Sequence, residues 1–376
     1  MMNFIPYGKQ SIDDDDIKAV SEILRSDYLT TGPKVEEFEN VICEFTDAKY
    51  TVAVSNGTAA LHLASLVLLN PNDKVLTTPN SFLATANSIK YVGAIPIFVD
   101  ICEDGNIDLD LCEEYLKNDH TIKALYVVHF SGNPINQQKL KYLKEKYNIK
   151  ILEDCAHSLG ASFDGIKAGS CANSDCSILS FHPVKHITTG EGGAITTNSY
   201  EIYQRLLKLR SHGMERKSEI APWYYEMNEL GFNYRITDFQ CALGISQFKK
   251  FDNFVRRRKE LAFNYTKAFE NSIIKPLYPY TENSSYHLFV VRVDFSKTTI
   301  NKKELFIKIK ELGIGLQLHY IPINKQPFYK SLGYGNEHTP VMNKYYEECF
   351  SLPLYPDLSD EEQIYVIKCL LEVLYV

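Results

Sequence analysis

One lysine and one carboxylate stand where their surroundings suit covalent cofactor chemistry. Lys185 lies in Ser180-Phe181-His182-Pro183-Val184-Lys185-His186-Ile187-Thr188-Thr189-Gly190-Glu191-Gly192-Gly193, between an apolar run that ends in a hydroxyl and a glycine-rich turn. Upstream, Asp154 closes another apolar run in Ile151-Leu152-Glu153-Asp154-Cys155-Ala156-His157. A lysine behind a buried strand loses its charge readily, as a Schiff-base amine and proton shuttle must. A carboxylate facing a pyridinium nitrogen keeps that ring protonated and able to take up electrons. Together the two residues are what pyridoxal phosphate chemistry needs. Each also has a plainer reading. Most lysines are solvated surface groups, and an aspartate at a strand end often caps the next segment.

Other residues fit the same cofactor. Ser55-Asn56-Gly57-Thr58-Ala59-Ala60-Leu61 follows a strand and opens a helix. Gly57 lets the backbone approach closely, and the N–H groups of Thr58 and Ala59 point along the helix dipole at an anion such as a phosphate. Ser180 offers that phosphate a second donor. Phe82 begins a helix after a strand and suits stacking on a cofactor ring. His157 suits support of the cofactor from below. Taken singly these signals are weak, because such turns are common and a lone Phe or His is usually core. The order phosphate turn, aromatic, carboxylate, serine, lysine, glycine turn is far more specific than any member of it.

The elements that must position these residues alternate along the chain. Strands are expected at 50–54, 74–77, 96–99, 122–128, 150–153, 177–180 and 194–196, with helices at 58–69, 82–92, 109–117 and 137–147. This alternation predicts an α/β architecture with a mostly parallel, doubly wound sheet, whose functional residues collect at the carboxyl ends of the strands. Asp154, Ser180 and the 55–58 turn lie at such ends. A long amphipathic helix over 251–269 carries Arg256-Arg257-Arg258-Lys259, read as a solvated face. Beyond it the pattern changes: strands at 286–293 and 316–320, a helix at 302–311 that stops before Gly313, and a capping box at Ser359 opening the last helix. The expected division is a large cofactor-binding domain over 1–250 and a smaller α+β domain over 251–376. Near the start, Ser11-Ile12-Asp13-Asp14-Asp15-Asp16 reads as a hydroxyl cap followed by acids at a helix N-terminus rather than a metal site.

Composition narrows the class. The 376 residues are 45% hydrophobic and 23% charged, with a formal net charge of -7. No basic footprint for nucleic acid is present. Nine scattered cysteines show no C-x-x-C pair and read as reduced thiols of a cytoplasmic protein. The N-terminal segment, Met1 to Tyr7, lacks a signal-peptide pattern, and no apolar run reaches the roughly 18 residues a membrane helix needs. No metal ligand set is assigned.

The motifs quoted so far resemble the DegT-type sugar aminotransferases, pyridoxal phosphate enzymes of fold type I. The resemblance extends through Leu29-Thr30-Thr31-Gly32, Arg210-Ser211-His212-Gly213-Met214, Gly231-Phe232-Asn233-Tyr234-Arg235 and Ser351-Leu352-Pro353-Leu354-Tyr355-Pro356. It therefore spans nearly the whole chain. Phe181 to Thr189 and Gln317-Leu318-His319-Tyr320-Ile321-Pro322 are similar to the PseC subgroup of that family. That subgroup aminates carbon 4 of a UDP-linked 2-acetamido-2,6-dideoxy-4-keto-hexose on the route to pseudaminic acid.

The resemblance implies roles. Lys185 would be the Schiff-base residue and acid/base, and Asp154 the partner of the ring nitrogen. Thr58 and Ser180 would hold the phosphate. Asn233 would reach that phosphate from the neighbouring subunit of a homodimer with shared sites. Tyr7, Tyr28, Leu29, Thr30, Gln317, Leu318, His319 and Tyr320, together with Ser180 and Asn233, would line the sugar-nucleotide side. L-Glutamate would leave as 2-oxoglutarate, pyridoxamine phosphate would carry the amino group, and the kinetics would be ping-pong. Three alternatives stand beside this reading. A sugar dehydrase of the family carries histidine at the lysine position; counting from Ser180 puts Lys185, not His186, there. A cofactor-binding regulator and an aminotransferase for another UDP- or dTDP-linked keto-sugar are the other two.

Overall fold

The computed structural model describes residues 4–375. Met1 to Asn3, which open the N-terminal segment read above, and Val376 lie outside the described residues. Seven strands form the central sheet: β1 (Tyr50–Val54), β2 (Lys74–Thr77), β3 (Ile95–Phe98), β4 (Ile122–Val128), β5 (Lys150–Asp154), β6 (Cys176–Ser180) and β7 (Gly193–Thr197). Their spatial order is β1-β7-β6-β5-β4-β2-β3. Pairing from β6 through β3 is parallel, and β7 alone runs against both its neighbours. The expected mostly parallel, doubly wound α/β sheet is therefore present.

Alternation along the strands feeds two cores. Val52, Val54, Leu152, Ile178 and Ile195 join one buried cluster, while Ala53, Leu179 and Ala194 join another on the opposite face. Side chains of period two make this division. Both faces are dry because helices cover both, so the strands read as continuous apolar runs.

A three-stranded antiparallel sheet, Lys275–Pro276, Phe289–Arg292 and Cys349–Leu352, anchors a second core. Leu261 and Tyr265 of the long helix Phe251–Ala268 and Val366 and Leu370 of the last helix pack into it. Ile5 packs there too, making a parallel bridge with Ile314. The first described residues thus lie with the C-terminal core, although 1–250 was expected to form the large domain.

Four local expectations need correction. The helix Asp14–Leu24 is capped by Asp13 in a capping box with Asp16, whereas the Ser11 hydroxyl donates to Asp357 Oδ1 at 2.8 Å. Asp16 turns inward and accepts from Lys250 Nζ and Gln247 Nε2, each at 2.6 Å. Arg258 is not part of a solvated face: it is 1% exposed and its Nη1 donates to the carbonyls of His287 and Leu354. The expected strand at 286–293 starts only at Phe289, because Tyr286 sits at φ 48°, a left-handed turn no strand contains. The expected strand at 316–320 is a single bridge, Gln317 with Ser351. All nine cysteines are free. Among the described residues no helix is long and apolar enough to cross a membrane.

Candidate active site

A cavity of about 1230 Å³ opens at the carboxyl ends of β1, β5 and β6. Asp154 ends β5, Ser180 ends β6, and Asn56–Gly57 follow β1. Beyond Ser180 the chain loops out and returns to its own start. The Phe181 N–H donates to Gly192 O at 2.9 Å and the Thr189 N–H to Phe181 O at 3.0 Å. Lys185 rides on this loop. His186 pins it from one side, with Nε2–H donating to Ser285 O at 3.0 Å. The loop closes through Gly193, where a Cβ would fall 2.6 Å from the Asn56 carbonyl carbon and 2.7 Å from Gly57 N. Only glycine lets the lysine loop lie against the phosphate turn.

That turn is itself organised. Asn56 Oδ1 accepts from the Ala59 N–H at 2.8 Å and caps the helix Gly57–Leu68. The Ala59 N–H, expected to meet an anion, is therefore engaged by Asn56. Among the described residues the N–H groups of Gly57 and Thr58, and the Ser180 hydroxyl, have no partner in the chain. A Cβ on Gly57 would sit 3.2 Å from Ser180 Oγ, so these donors share one small space at a helix N-terminus. The donor set fits a phosphate.

Asp154 is 5% exposed. Its Oδ2 accepts from Thr85 Oγ1 at 2.7 Å and its Oδ1 from the Ala156 N–H at 3.1 Å. Burial pushes its carboxyl up, against these two hydrogen bonds and the Lys185 charge. A carboxylate in this state gains from a cation placed beside it, as a protonated pyridine would be. Burial also lowers the Lys185 amine to about 8, with Asp154 opposing and Arg258 assisting. The surrounding histidines 157, 186, 287 and 319 are all buried and held neutral, His319 at about 3.

The cavity collects most of the residues expected there: Gly57, Thr58, Ala59, Phe82, Asp154, His157, Ser180, Lys185, Tyr7, Gln317, Leu318, His319 and Tyr320. Phe82 lines it while 59% exposed. His157 Nε2 lies 3.1 Å from the Tyr320 hydroxyl. Tyr28, Leu29, Thr30 and Asn233 are exposed, and none lines the cavity of its own chain. Thr30 pairs with Thr237, and Asn233 with Ser211, on the outer surface.

Sequence reasoning missed Ser81, Thr85, His62, Tyr234 and His287, all on the cavity wall. The hydroxyl pair Ser81 and Thr85, 2.7 Å apart, brackets Phe82 at the start of a helix, a signal that was readable. His287 was hidden inside an expected strand.

Residues 10–371 match the DegT/DnrJ/EryC1/StrS aminotransferase family. The chain belongs to this family. It is a pyridoxal-phosphate-dependent sugar aminotransferase of fold type I. The enzyme is 40% identical over 375 residues to a UDP-4-amino-4,6-dideoxy-N-acetyl-beta-L-altrosamine transaminase of Campylobacter jejuni, covering 98% of this chain and 97% of the relative. Its fold is similar to that of Helicobacter pylori PseC, an aminotransferase involved in pseudoaminic acid biosynthesis. The TM-score is 0.93 at 31% identity, covering 99% of this chain and 100% of that one. A putative sugar aminotransferase, Spr1654 from Streptococcus pneumoniae, solved in PLP and PMP forms, gives 0.90 at 30% identity with 98% of each chain covered.

Proposed function

We propose that the enzyme moves the amino group of L-glutamate to carbon 4 of a UDP-2-acetamido-2,6-dideoxy-4-keto-hexose of the β-L-arabino series, a step toward pseudaminic acid. The observation that carries this reading is the meeting, in one cavity, of Lys185 and Asp154 with Tyr7 and the Gln317–Tyr320 segment. The similarity to the Campylobacter transaminase supports the choice of sugar and nucleotide.

Pyridoxal phosphate supplies a carbonyl that takes the amino group and a ring that holds the electrons left at the donor's α-carbon. The chain's residues do the rest. Lys185 is the residue to which the cofactor links, and once released its amine takes the α-proton. Its lowered basicity leaves part of it neutral near pH 7. Asp154, fixed by Thr85 and Ala156, keeps the ring nitrogen protonated. Thr58, Ser180 and the N-terminus of helix Gly57–Leu68 hold the phosphate. Tyr7, Gln317, His319 and Tyr320 face the sugar. The exposed Asn233, Tyr28, Leu29 and Thr30 serve the site of a second copy in a homodimer, with Asn233 on that copy's phosphate. The protein works in the cytoplasm.

The test is turnover of the UDP-4-keto-6-deoxy-L-sugar against its D-epimer and a dTDP analogue, with L-glutamate as donor and 2-oxoglutarate as readout. No turnover of the UDP-L-sugar removes the specific assignment. Dehydration without 2-oxoglutarate would make it a dehydrase, and a yellow protein inert to all three sugars a regulator.

A further inference from the structure

Four buried histidines surround Lys185, and three have other commitments. His157 Nε2 meets the Tyr320 hydroxyl at 3.1 Å, His186 Nε2 donates to Ser285 O, and His319 Nδ1 meets Ser351 Oγ at 2.8 Å. His287 differs. Its Nε2 lies 3.4 Å from Lys185 Nζ, and its Nδ1 has no partner among the described residues. His287 is 4% exposed. A phenylalanine would fill that volume without burying two polar nitrogens. Among the described residues the one polar contact of the His287 side chain is the Lys185 amine.

The backbone aims it there. Tyr286 turns at φ 48°, which lifts His287 out of the strand that begins at Phe289. The His287 carbonyl accepts from the buried Arg258 Nη1 at 3.2 Å, and the next N–H, of Leu288, donates to Ser131 O at 3.2 Å. Both bonds hold the peptide that follows the His287 Cα, and the Tyr286 carbonyl before it accepts from the same Arg258 Nη1 at 3.5 Å.

We propose that His287 is the positioning residue for Lys185: its Nε2 accepts one N–H of the released amine and so turns the amine's lone pair toward the donor's α-proton. This rests on Lys185 being the proton-transferring lysine proposed above. An amine has two N–H bonds and one lone pair. With one N–H fixed on His287, rotation about the terminal C–N bond is restricted and the lone pair has a defined direction. In the step itself the donor's Cα–H bond breaks. Its proton goes to Nζ, and its electron pair stays on the carbon, where a bound cofactor ring would take it up. The resulting ammonium keeps the same N–H on His287. Nε2 must accept throughout, so the imidazole proton sits on Nδ1. Burial and the neighbouring Lys185 charge keep the ring neutral, with His157, His186 and Arg258 acting in the same sense. The other titratable groups facing the pair are Asp154, His319 and Tyr320.

The experiment uses the holoenzyme with L-glutamate, protiated and α-deuterated, in single-turnover half-reactions followed by cofactor absorbance. Variants are H287F and H287Q, the latter keeping an acceptor. Borohydride reduction and peptide mapping report where the cofactor is attached. Attachment at Lys185 is expected in all three proteins. H287F should slow the half-reaction by about 100-fold, at the lower end of what a proton-transfer group contributes. The deuterium effect should grow, and the glutamate concentration for half-maximal rate should hold. H287Q should recover roughly tenfold, about 1.4 kcal/mol. If H287F does not fold, H287N, too short to reach Nζ, takes its place. Attachment at Lys185 with an unchanged rate, or a slowed rate with an unchanged deuterium effect, overturns the inference. Attachment to another residue in the wild type overturns instead the reading on which it rests.

Discussion

The Thr85 hydroxyl donates to Asp154 Oδ2 at 2.7 Å, and Ser81 Oγ lies 2.7 Å from the same hydroxyl. The first turn of the helix Leu83–Tyr91 therefore holds the carboxylate proposed to pair with the cofactor ring. T85V keeps the shape and removes the hydrogen bond. Bonds to charged groups contribute about 1.5–3 kcal/mol. The Asp154 carboxyl should rise further, and the transamination rate should fall about ten- to a hundredfold. Steady-state kinetics with cofactor titration checks this, with most of the loss expected in kcat.

Burial brings the Lys185 amine from 10.5 to about 8. Between these values the unfolded chain binds a proton that the native chain has released. Apoenzyme stability therefore gains from this group as pH rises through about 8 to 10.5. K185M removes the gain. The variant should exceed wild type in stability at pH 7, and the difference should shrink by pH 9.5. Urea midpoints of both apoproteins at the two pH values measure it.

Behind the cavity Glu153 is fully buried, yet it accepts from His129 Nε2 (2.9 Å), Gln137 Nε2 (2.6 Å), Ser174 Oγ (2.5 Å) and Ser177 Oγ (3.3 Å). The Ile135 N–H donates to His129 Nδ1, so the proton of that ring lies on Nε2. Burial would raise the Glu153 carboxyl, but the His129, Ser174 and Gln137 bonds outweigh it and hold the group below its ordinary value. Its stabilisation is full above about 4.5, the unfolded value, and is lost as pH falls through the lower folded one. E153Q turns an amide donor toward existing donors. It should cost about 1.5–3 kcal/mol at neutral pH and flatten the acid limb of the stability profile, as read by denaturant unfolding.

G193A places a methyl 2.6 Å from backbone atoms of Asn56. Backbone cannot rotate aside, so the phosphate turn and the lysine loop must separate. Overpacking of this kind costs about 1–3 kcal/mol. Melting of the apoenzyme should fall by a few degrees, and cofactor retention on dialysis should fall more, because the displaced turn carries the phosphate donors.

The central sheet was legible because its strands are dry on both faces and appear as unbroken apolar runs. Helices Pro33–Thr46, Tyr200–Arg210 and Asp238–Phe248 were not read, since their apolar faces are narrow or blend into neighbouring segments. The 316–320 stretch has the composition of a strand, but only Gln317 finds a backbone partner there, and no local pattern records that. His287 escaped for a related reason. Its neighbours have strand composition, and the left-handed turn at Tyr286 that frees it comes from tertiary contacts. Tyr28 to Thr30 and Asn233 were placed by family likeness, and a single chain leaves them on its surface.

Ile5 exchanges hydrogen bonds with both Gly313 and Gly315, and the Tyr7 carbonyl accepts from Leu354 at 3.0 Å. Tyr7 is thereby riveted to the same body that bears Gln317 to Tyr320. Lys185 and Asp154 ride on the other. Any hinge rotation between the two cores would move Tyr7 and the 317–320 segment as one jaw against a fixed anvil. Substitutions that loosen the Ile5 bridge should therefore blunt the grip on the sugar while leaving the half-reaction with the amino donor nearly untouched.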